Sequence, residues 1–298
     1  LLISGSGPQD RNETVFGHRP FLVLADYLTR QGIAVLRVDD RGFGESTGDI
    51  SQVTTMDFAD DALAGVEYLK SRREINSKQI GLIGHSEGGI IAPIVATKSA
   101  DVAFIVLMAG TGLTGEEVLY SQGELVARAE GASDETIAKS LEADKLIYAV
   151  LKEEKDDAIA EKKIREIIED SMAGMSDQEK QSMANIDNQL TFILSTWFRF
   201  FLTYVPKPTL MTVKCPILAV NGSKDLQVAP KENLSAIEGA LASGGNTNYT
   251  IKELPDLNHL FQTSQTGAPS EYVKIEETIA PIALKTIGDW ILEQTKEK

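Results

Sequence analysis

The amino-acid sequence predicts an α/β protein in which helices cover both faces of a mostly parallel central sheet. Short apolar runs alternate with stretches whose apolar residues recur at helical spacing, as in 102–109 and 88–98. The apolar runs also lack the in/out alternation of strands that have one exposed face. Continuous apolar strands are typical of a parallel sheet with helices on both sides.

Each element follows from its local pattern. Strands are predicted at 1–4, 34–38, 79–84, 102–109, 216–220 and 249–254. Helices are predicted at 21–30, 56–69, 88–98, from about 230, and at 279–293. Thr54 and Asp57 have the spacing of a capping box for the second helix. The opening Leu-Leu-Ile-Ser-Gly resembles the middle of a strand, so we expect further sequence upstream.

Composition excludes several classes of function. The chain has 298 residues and a formal net charge of −15, which argues against nonspecific electrostatic binding to nucleic acid or anionic lipid. Its single cysteine cannot form an internal disulfide. No apolar run approaches the roughly 20 residues of a membrane-spanning helix. No His/Cys cluster has metal-ligand spacing, so we expect no metal. Oligomeric state and compartment stay open.

The middle of the chain has a different pattern. Residues 112–213 give almost no strand signal and place apolar residues at helical spacing among Glu, Lys and Ala. Ser133 and Ser176 are candidate helix N-caps there. We therefore predict a helical cap at 112–213, inserted between two parts of one core, 1–111 and 214–298.

The clearest functional motif is Gly84-His85-Ser86-Glu87-Gly88, which fits G-x-S-x-G and lies between a predicted strand and a predicted helix. An abrupt strand-to-helix turn exposes the Ser86 hydroxyl, and the two glycines remove Cβ atoms that would clash. The N–H of Glu87, at the helix start, would point at a developing oxyanion. The alternative is a chance match in a Gly-rich loop.

A serine nucleophile needs a base and an acid. Of the three histidines, His259 follows the last strand, whereas His85 and His18 are better explained as structural residues. Asp225 follows the strand at 216–220 and gives the order Ser, Asp, His. Asp256 is the rival acid, although it also suits a turn after Pro255.

The loop at 4–13 is the candidate second wall of an oxyanion hole. Its small residues let a carbonyl approach the backbone, and we expect the N–H of Ser6 to donate, with Gly7 as the alternative. A plain Gly/Ser/Pro turn is the other interpretation. The charged run at 10–13 either lines the cleft or braces the loop, and we favour the brace.

Five segments of the chain form a recognisable set, which is Ile-Ser-Gly-Ser-Gly-Pro-Gln-Asp-Arg-Asn-Glu, Asp-Asp-Arg-Gly-Phe-Gly-Glu-Ser, Gly-His-Ser-Glu-Gly-Gly, Asn-Gly-Ser-Lys-Asp and Leu-Asn-His-Leu-Phe. Together they are similar to the α/β-hydrolase superfamily, and within it they resemble bacterial carboxylesterases and serine aminopeptidase-like hydrolases. The resemblance covers 1–111 and 214–298. It implies an α/β-hydrolase fold, a triad of Ser86, Asp225 and His259, no cofactor, and ester hydrolysis through an acyl-enzyme.

Two departures from that pattern are visible. The oxyanion loop has Ser4-Gly5 where many members have His-Gly. The chain also begins too late to supply the first strands of the usual sheet, which again indicates a leading segment.

The end of the predicted cap is rich in aromatic residues, which are Phe192, Trp197, Phe198, Phe200, Phe201 and Tyr204. They either line an acyl pocket over Ser86 or seat the cap on the core. The pocket candidates are Trp197, Phe198, Phe201 and Tyr204. Arg199 faces either water or a substrate carboxylate.

The predicted function is a carboxylesterase that cleaves small or medium acyl esters of small molecules. A peptidase, aminopeptidase or thioesterase with the same triad is the first alternative. A non-catalytic ligand-binding module on the same scaffold is the second.

Overall fold

The computed structural model describes residues 1–171 and 186–296, and its centre is a five-stranded sheet. All neighbouring strands pair in parallel, and their order in the sheet is their order in the chain. The strands are β1 (Leu2–Ile3), β2 (Ile80–His85), β3 (Val102–Met108), β4 (Ile217–Gly222) and β5 (Tyr249–Leu254). The predicted parallel sheet is confirmed.

Helices separate these strands along the chain and follow the last of them. The helices outside the β3–β4 connection are α1 (Pro20–Arg30), α2 (Thr55–Ser71), α3 (Gly88–Lys98), α10 (Pro230–Ser243), α11 (Pro269–Tyr272) and α12 (Pro281–Gln294). Those between β3 and β4 are α4 (Gly115–Ala129), α5 (Asp134–Glu153), α6 (Asp157–Ser171), α7 (Ile186–Ile193), α8 (Thr196–Thr203) and α9 (Pro206–Thr212).

The sheet has a hydrophobic core on each face, which explains why its strands are continuously apolar. On β3, Ile105 and Leu107 point into one core, which α2, α3, α9 and α10 complete. Val106 and Met108 point into the other core, against α1 and α12. Because successive side chains of a strand alternate between faces, both sets of positions must be apolar when both faces are covered.

The strand predicted at 34–38 is wrong. This segment runs beside β1, but among the described residues one backbone hydrogen bond joins them, from the Leu2 N–H to the Leu36 carbonyl at 3.0 Å. A regular strand needs a ladder of such bonds. Since β1 is two residues long, it offers too few partners for one.

Helix starts follow the predicted caps. Thr54 and Asp57 form the capping box of α2, in which the Thr54 N–H donates to Asp57 Oδ2 at 2.8 Å. The hydroxyl of Ser133 accepts from the Thr136 N–H at the start of α5. Ser176 lies outside the described residues. The cap of α2 matters for the site, because α2 packs against α3, which begins next to Ser86.

The helices between β3 and β4 have an apolar core of their own. Leu151 of α5, Ile164 of α6 and Leu202 of α8 are almost fully buried in it. In the part of this connection that the structure describes, every regular element is a helix. Among the described residues, no helix is both long and apolar enough to cross a bilayer.

We expect Thr54→Ala to lower the free energy of unfolding by about 1 kcal/mol, because it removes the side-chain half of the α2 capping box. Urea unfolding followed by circular dichroism measures the change. Thr54→Ser is the matched control, since it keeps the hydroxyl and should stay close to wild type. Equal unfolding midpoints for the two variants would contradict the assigned cap.

Candidate active site

Ser86 lies in the sharp turn between β2 and α3, with a left-handed backbone at φ 52°. A non-glycine residue in this region is strained. The turn also brings backbone into close contact: a Cβ on Gly84 would lie 1.9 Å from the Gly88 carbonyl oxygen, and one on Gly88 would lie 2.3 Å from that of Ile3. Only glycine fits at these two positions. The motif therefore has the strand–turn–helix context that gives G-x-S-x-G its meaning.

Asp225 lies in the loop after β4 and is almost completely buried. Its Oδ1 accepts from the N–H groups of Gln227 and Val228 at 2.8 and 2.9 Å. Its Oδ2 accepts a hydrogen bond from Nδ1 of His259 at 2.8 Å. Backbone donors thus fix one carboxylate oxygen and leave the other for the imidazole.

His259 lies in the loop after β5, and its neighbour Asn258 organises that loop. The fully buried Asn258 accepts from the N–H groups of Leu260 and Gln262 at 3.0 and 2.9 Å. Its amide also donates to the Gln262 side chain. The ring of His259 is consequently held against Asp225 by a loop with little freedom.

The structure brings Ser86, His259 and Asp225 to the same edge of the sheet. Ser86 and His259 line one cavity, and Asp225 lies behind the histidine. Among the described residues, no hydrogen bond joins the Ser86 hydroxyl to the His259 ring. Nδ1 of that ring is engaged with Asp225, so Nε2 is the nitrogen available to a proton from the cavity side.

The rival residues have other partners. Asp256 pairs with Lys224 at 2.9 Å, and its side chain is largely exposed. His18 bonds the Thr278 hydroxyl and the Tyr272 carbonyl, at 3.1 and 3.0 Å. These contacts agree with the structural roles expected for both residues.

The cavity over Ser86 has a volume of about 310 Å³. Its lining combines aromatic residues with polar side chains. The aromatic lining residues are Phe16, Phe192, Trp197, Phe198, Phe201 and Tyr272. Three of the four predicted pocket candidates, Trp197, Phe198 and Phe201, are thus at the cavity.

Tyr204, the fourth candidate, lies outside this lining. It directly follows α8, in an extended conformation that turns the chain away from the helix. Its ring stacks on Phe200 at 5.5 Å, and its hydroxyl bonds Thr209 at 2.9 Å. The side chain of Arg199 does not line the cavity, nor does it simply extend into water. It donates hydrogen bonds to the backbone carbonyls of Leu151 and Glu154 in the helical segment.

The loop at 4–13 forms the opposite wall. Ser6 lines the same cavity as Ser86 and Glu87, whereas Gly7 lines an adjoining depression. The N–H of Gly5 is already engaged, since it donates to Glu13 Oε1 at 2.8 Å. The charged run braces the loop, as expected, since the guanidinium of Arg11 pairs with Asp39 at 2.6 Å. Glu13, the last residue of the run, also lines the cavity.

The side chain of Glu87 is a site feature that the sequence reasoning missed. It is buried, and its Oε1 accepts from the Thr55 hydroxyl at 2.7 Å and from the Trp197 indole N–H at 2.8 Å. Burial raises the pKa of Glu87, although hydrogen bonds from Thr55, Trp197 and Ser6 oppose the shift. The one available signal was a charged residue at the start of an otherwise apolar helix.

Three further polar residues at the cavity were also missed. The Thr111 hydroxyl is buried and has no hydrogen-bond partner among the described residues. Gln227 donates to the Tyr272 hydroxyl at 3.1 Å, and both residues line the cavity. Their sequence context carries no motif, so no local pattern could identify them.

Residues 1–171 and 186–296 contain no group of three or more His, Cys, Asp or Glu side chains arranged to hold a metal ion. The polar groups around Ser86 are instead paired with one another or directed at the cavity. Their arrangement can perform proton transfer to and from a serine hydroxyl.

The chain is similar in sequence to known proteins. The chain is 26% identical over 278 residues to Esterase EstD of Thermotoga maritima. The matched region covers 92% of this chain and 57% of that protein. The chain therefore spans little more than half the length of this curated relative. A protein of Escherichia coli, described as an uncharacterized 31.7 kDa protein in the traX-finO intergenic region, is 24% identical over 76% of this chain and 74% of its own length.

Solved structures show the same fold. The Pyrococcus furiosus esterase Pf2001 superposes with a TM-score of 0.57 at 16% identity, over 98% of this chain and 81% of its own. The monoacylglycerol lipase of Paleococcus ferrophilus does so with a TM-score of 0.55 at 15% identity, over 99% and 93%.

The family described as Hydrolase_4, serine aminopeptidase S33, matches residues 19–181. This range includes the Ser86 turn and ends before Asp225 and His259, whose assignment rests on geometry. The match covers more than half of the chain, and the folds of the solved relatives agree with it. The chain therefore belongs to the serine aminopeptidase S33 family of the α/β-hydrolase superfamily.

Proposed function

We propose that this chain is a carboxylesterase that forms an acyl-enzyme on Ser86. The observation that carries the proposal is the buried His259–Asp225 hydrogen bond at the cavity that also contains the strained serine. Aromatic rings form one part of the lining of the same cavity, which suits an acyl chain. The relatives that bear the name esterase support ester over amide substrates.

Asp225 holds the proton of His259 on Nδ1, so Nε2 accepts the proton of the Ser86 hydroxyl as the oxygen attacks the ester carbonyl. The protonated imidazole then gives that proton to the leaving alcohol, and an acyl-enzyme remains. Water repeats the two steps and releases the acid. The separation of Ser86 and His259 closes to a hydrogen bond when substrate binds, as catalytic contacts often tighten in the complex.

The N–H of Glu87 and that of Ser6 stabilise the tetrahedral oxyanion. Both residues line the cavity beside Ser86, and Glu87 lies at the start of α3, where the helix dipole favours negative charge. Gly7 is the less suitable second donor because it lines the adjoining depression. No metal or cofactor is required for this chemistry.

Residues 112–213 form a cap over this site in our proposal, inserted between the core segments 1–111 and 214–298. Trp197 of α8 connects this cap to the core, because it lines the cavity and its indole N–H donates a hydrogen bond to Glu87 of the core. Its ring stacks on Phe201 at 5.3 Å. Phe198 and Phe201 complete an acyl-binding wall, so the aromatic cluster both seats the cap and shapes the pocket.

We expect Ser86→Ala and Asp225→Asn to lower kcat for p-nitrophenyl esters by at least about 10³-fold. The first variant removes the nucleophile, and the second loses the group that fixes the His259 tautomer. Assays run in parallel on aminoacyl anilides separate an esterase from a peptidase, and acyl thioesters test the thioesterase alternative.

A fluorophosphonate probe tests the same assignment directly. Wild type should be labelled on Ser86, as intact-mass and peptide mass spectrometry would show. Ser243→Ala, at an exposed serine of α10, is the matched control and should label like wild type. A folded wild-type protein that takes up no label would favour a binding module and contradict the proposal.

We expect Trp197→Ala to shift the preferred acyl chain toward longer esters, with a change of about 10-fold or more in relative kcat/KM. The truncation enlarges the acyl wall by a large side chain. Trp197→Phe is the control, since it retains a ring against Phe201 and should keep the preference. An unchanged chain-length profile in Trp197→Ala would mean that this ring only seats the helices.

We expect Glu87→Gln to keep its activity and to gain on wild type as the pH rises. Because the pKa of Glu87 is raised, its carboxyl is neutral over a wider range, and its ionisation at higher pH places a negative charge beside the oxyanion. The Gln carbonyl still accepts from Thr55 and Trp197.

The measurement is kcat/KM between pH 5 and 9. The ratio of Glu87→Gln to wild type should increase with pH, while Glu238→Gln, on the exposed face of α10, should give a constant ratio. A variant that loses activity equally at every pH would show that the charged carboxylate is needed.

A further inference from the structure

His85, next to the nucleophile in sequence, bridges the two loops that flank the site. Its Nδ1 is 2.9 Å from Glu13 Oε1, and its Nε2 is 3.0 Å from the backbone carbonyl oxygen of His259. Both side chains of the pair are almost fully buried. The bridge spans from the 4–13 loop through the serine turn to the loop after β5.

The hydrogen-bond partners of His85 and Glu13 limit where the protons of this pair can lie. A carbonyl oxygen only accepts, so Nε2 of His85 must carry a proton. Glu13 Oε1 also accepts from the Gly5 N–H at 2.8 Å, and its Oε2 has no partner among the described residues. A proton on Oε2 would have no acceptor there. The arrangement therefore leaves one shared proton between Nδ1 and Oε1.

The environment favours that proton on the ring. Burial opposes a charged His85, but the charge and hydrogen bond of Glu13 and the carbonyl of His259 outweigh it and raise the pKa of His85. The titratable groups facing the ring are Glu13 from the 4–13 loop, His259 from the loop after β5, and Asp225 from the loop after β4. The two carboxylates favour the imidazolium.

We propose that Glu13 and His85 form a buried ion pair that positions the oxyanion loop and the His259 loop around Ser86. One end of the pair holds the backbone at Gly5, next to the proposed donor Ser6. The other end holds the carbonyl of His259, whose ring lies 4.8 Å from the His85 ring. This inference rests on the proposed function, and it makes His85 a positioning residue for the reaction.

Ring protonation is tested by NMR of ¹⁵N-histidine-labelled Ser86→Ala protein. The chain has three histidines, and variants at His85 and His18 assign the signals. We expect both ring nitrogens of His85 to be protonated at pH 8, well above the roughly 6.5 at which a free imidazole loses its charge. An unprotonated Nδ1 at pH 8 would place the shared proton on Glu13 and overturn the ion pair.

Positioning is tested by measuring kcat and KM separately for His85→Gln. We expect kcat to fall about 10-fold or more because the two loops lose their link, while KM changes much less because the aromatic wall of the cavity is unaltered. His18→Gln is the matched control, because His18 is also buried with two hydrogen bonds but makes them to Thr278 and Tyr272. It should keep the wild-type kcat and KM.

If His85→Gln fails to fold, Glu13→Gln/His85→Gln replaces it, since the double variant leaves no unpaired buried carboxylate. If wild type is active and the folded variant keeps the wild-type kcat, the positioning role is overturned and the proposed function is left intact. Wild type without esterase activity or probe labelling overturns the proposed function and the positioning role together, while the NMR result still decides the ion pair.

Discussion

The close backbone contact between the end of β2 and the start of α3 is the constraint on which the site depends. With no side chain at Gly84 or Gly88, the chain reverses from strand to helix within a few residues. Ser86 is therefore held in the strained left-handed conformation, and its N–H donates a hydrogen bond to the Met108 carbonyl of β3. The strain is tolerated because two hydrophobic cores fix the strand and the helix on either side.

A parallel sheet places the carboxyl ends of all its strands along one edge, and this geometry assembles the rest of the site. The turn after β2 supplies Ser86, the loop after β4 supplies Asp225, and the loop after β5 supplies His259. Each loop is fixed by its own short-range hydrogen bonds. Preorganised loops of this kind let side chains distant in sequence act together without large rearrangement.

The polar groups buried around Ser86 form separate pairs, and each pair connects different parts of the chain. Glu87 connects the core to Trp197 of the helical segment, while Glu13 connects the 4–13 loop to His85. Both carboxyls are buried, and each one is held by hydrogen-bond donors from different parts of the chain. Such pairings make the relative placement of loops and helices part of the chemistry, because an unpaired buried carboxyl would be strongly unfavourable.

The sequence by itself determined the fold class, most element boundaries and the conformation of the Ser86 turn, because these depend on periodicity, caps and glycines within a few residues. The tertiary structure alone decided the rest. It showed that 34–38 lacks a partner for a regular strand, that Tyr204 turns away while Trp197 and Phe201 reach the cavity, and that His85 meets Glu13. Contacts between residues distant in the chain depend on how loops and layers pack, and a local pattern carries no information about that packing.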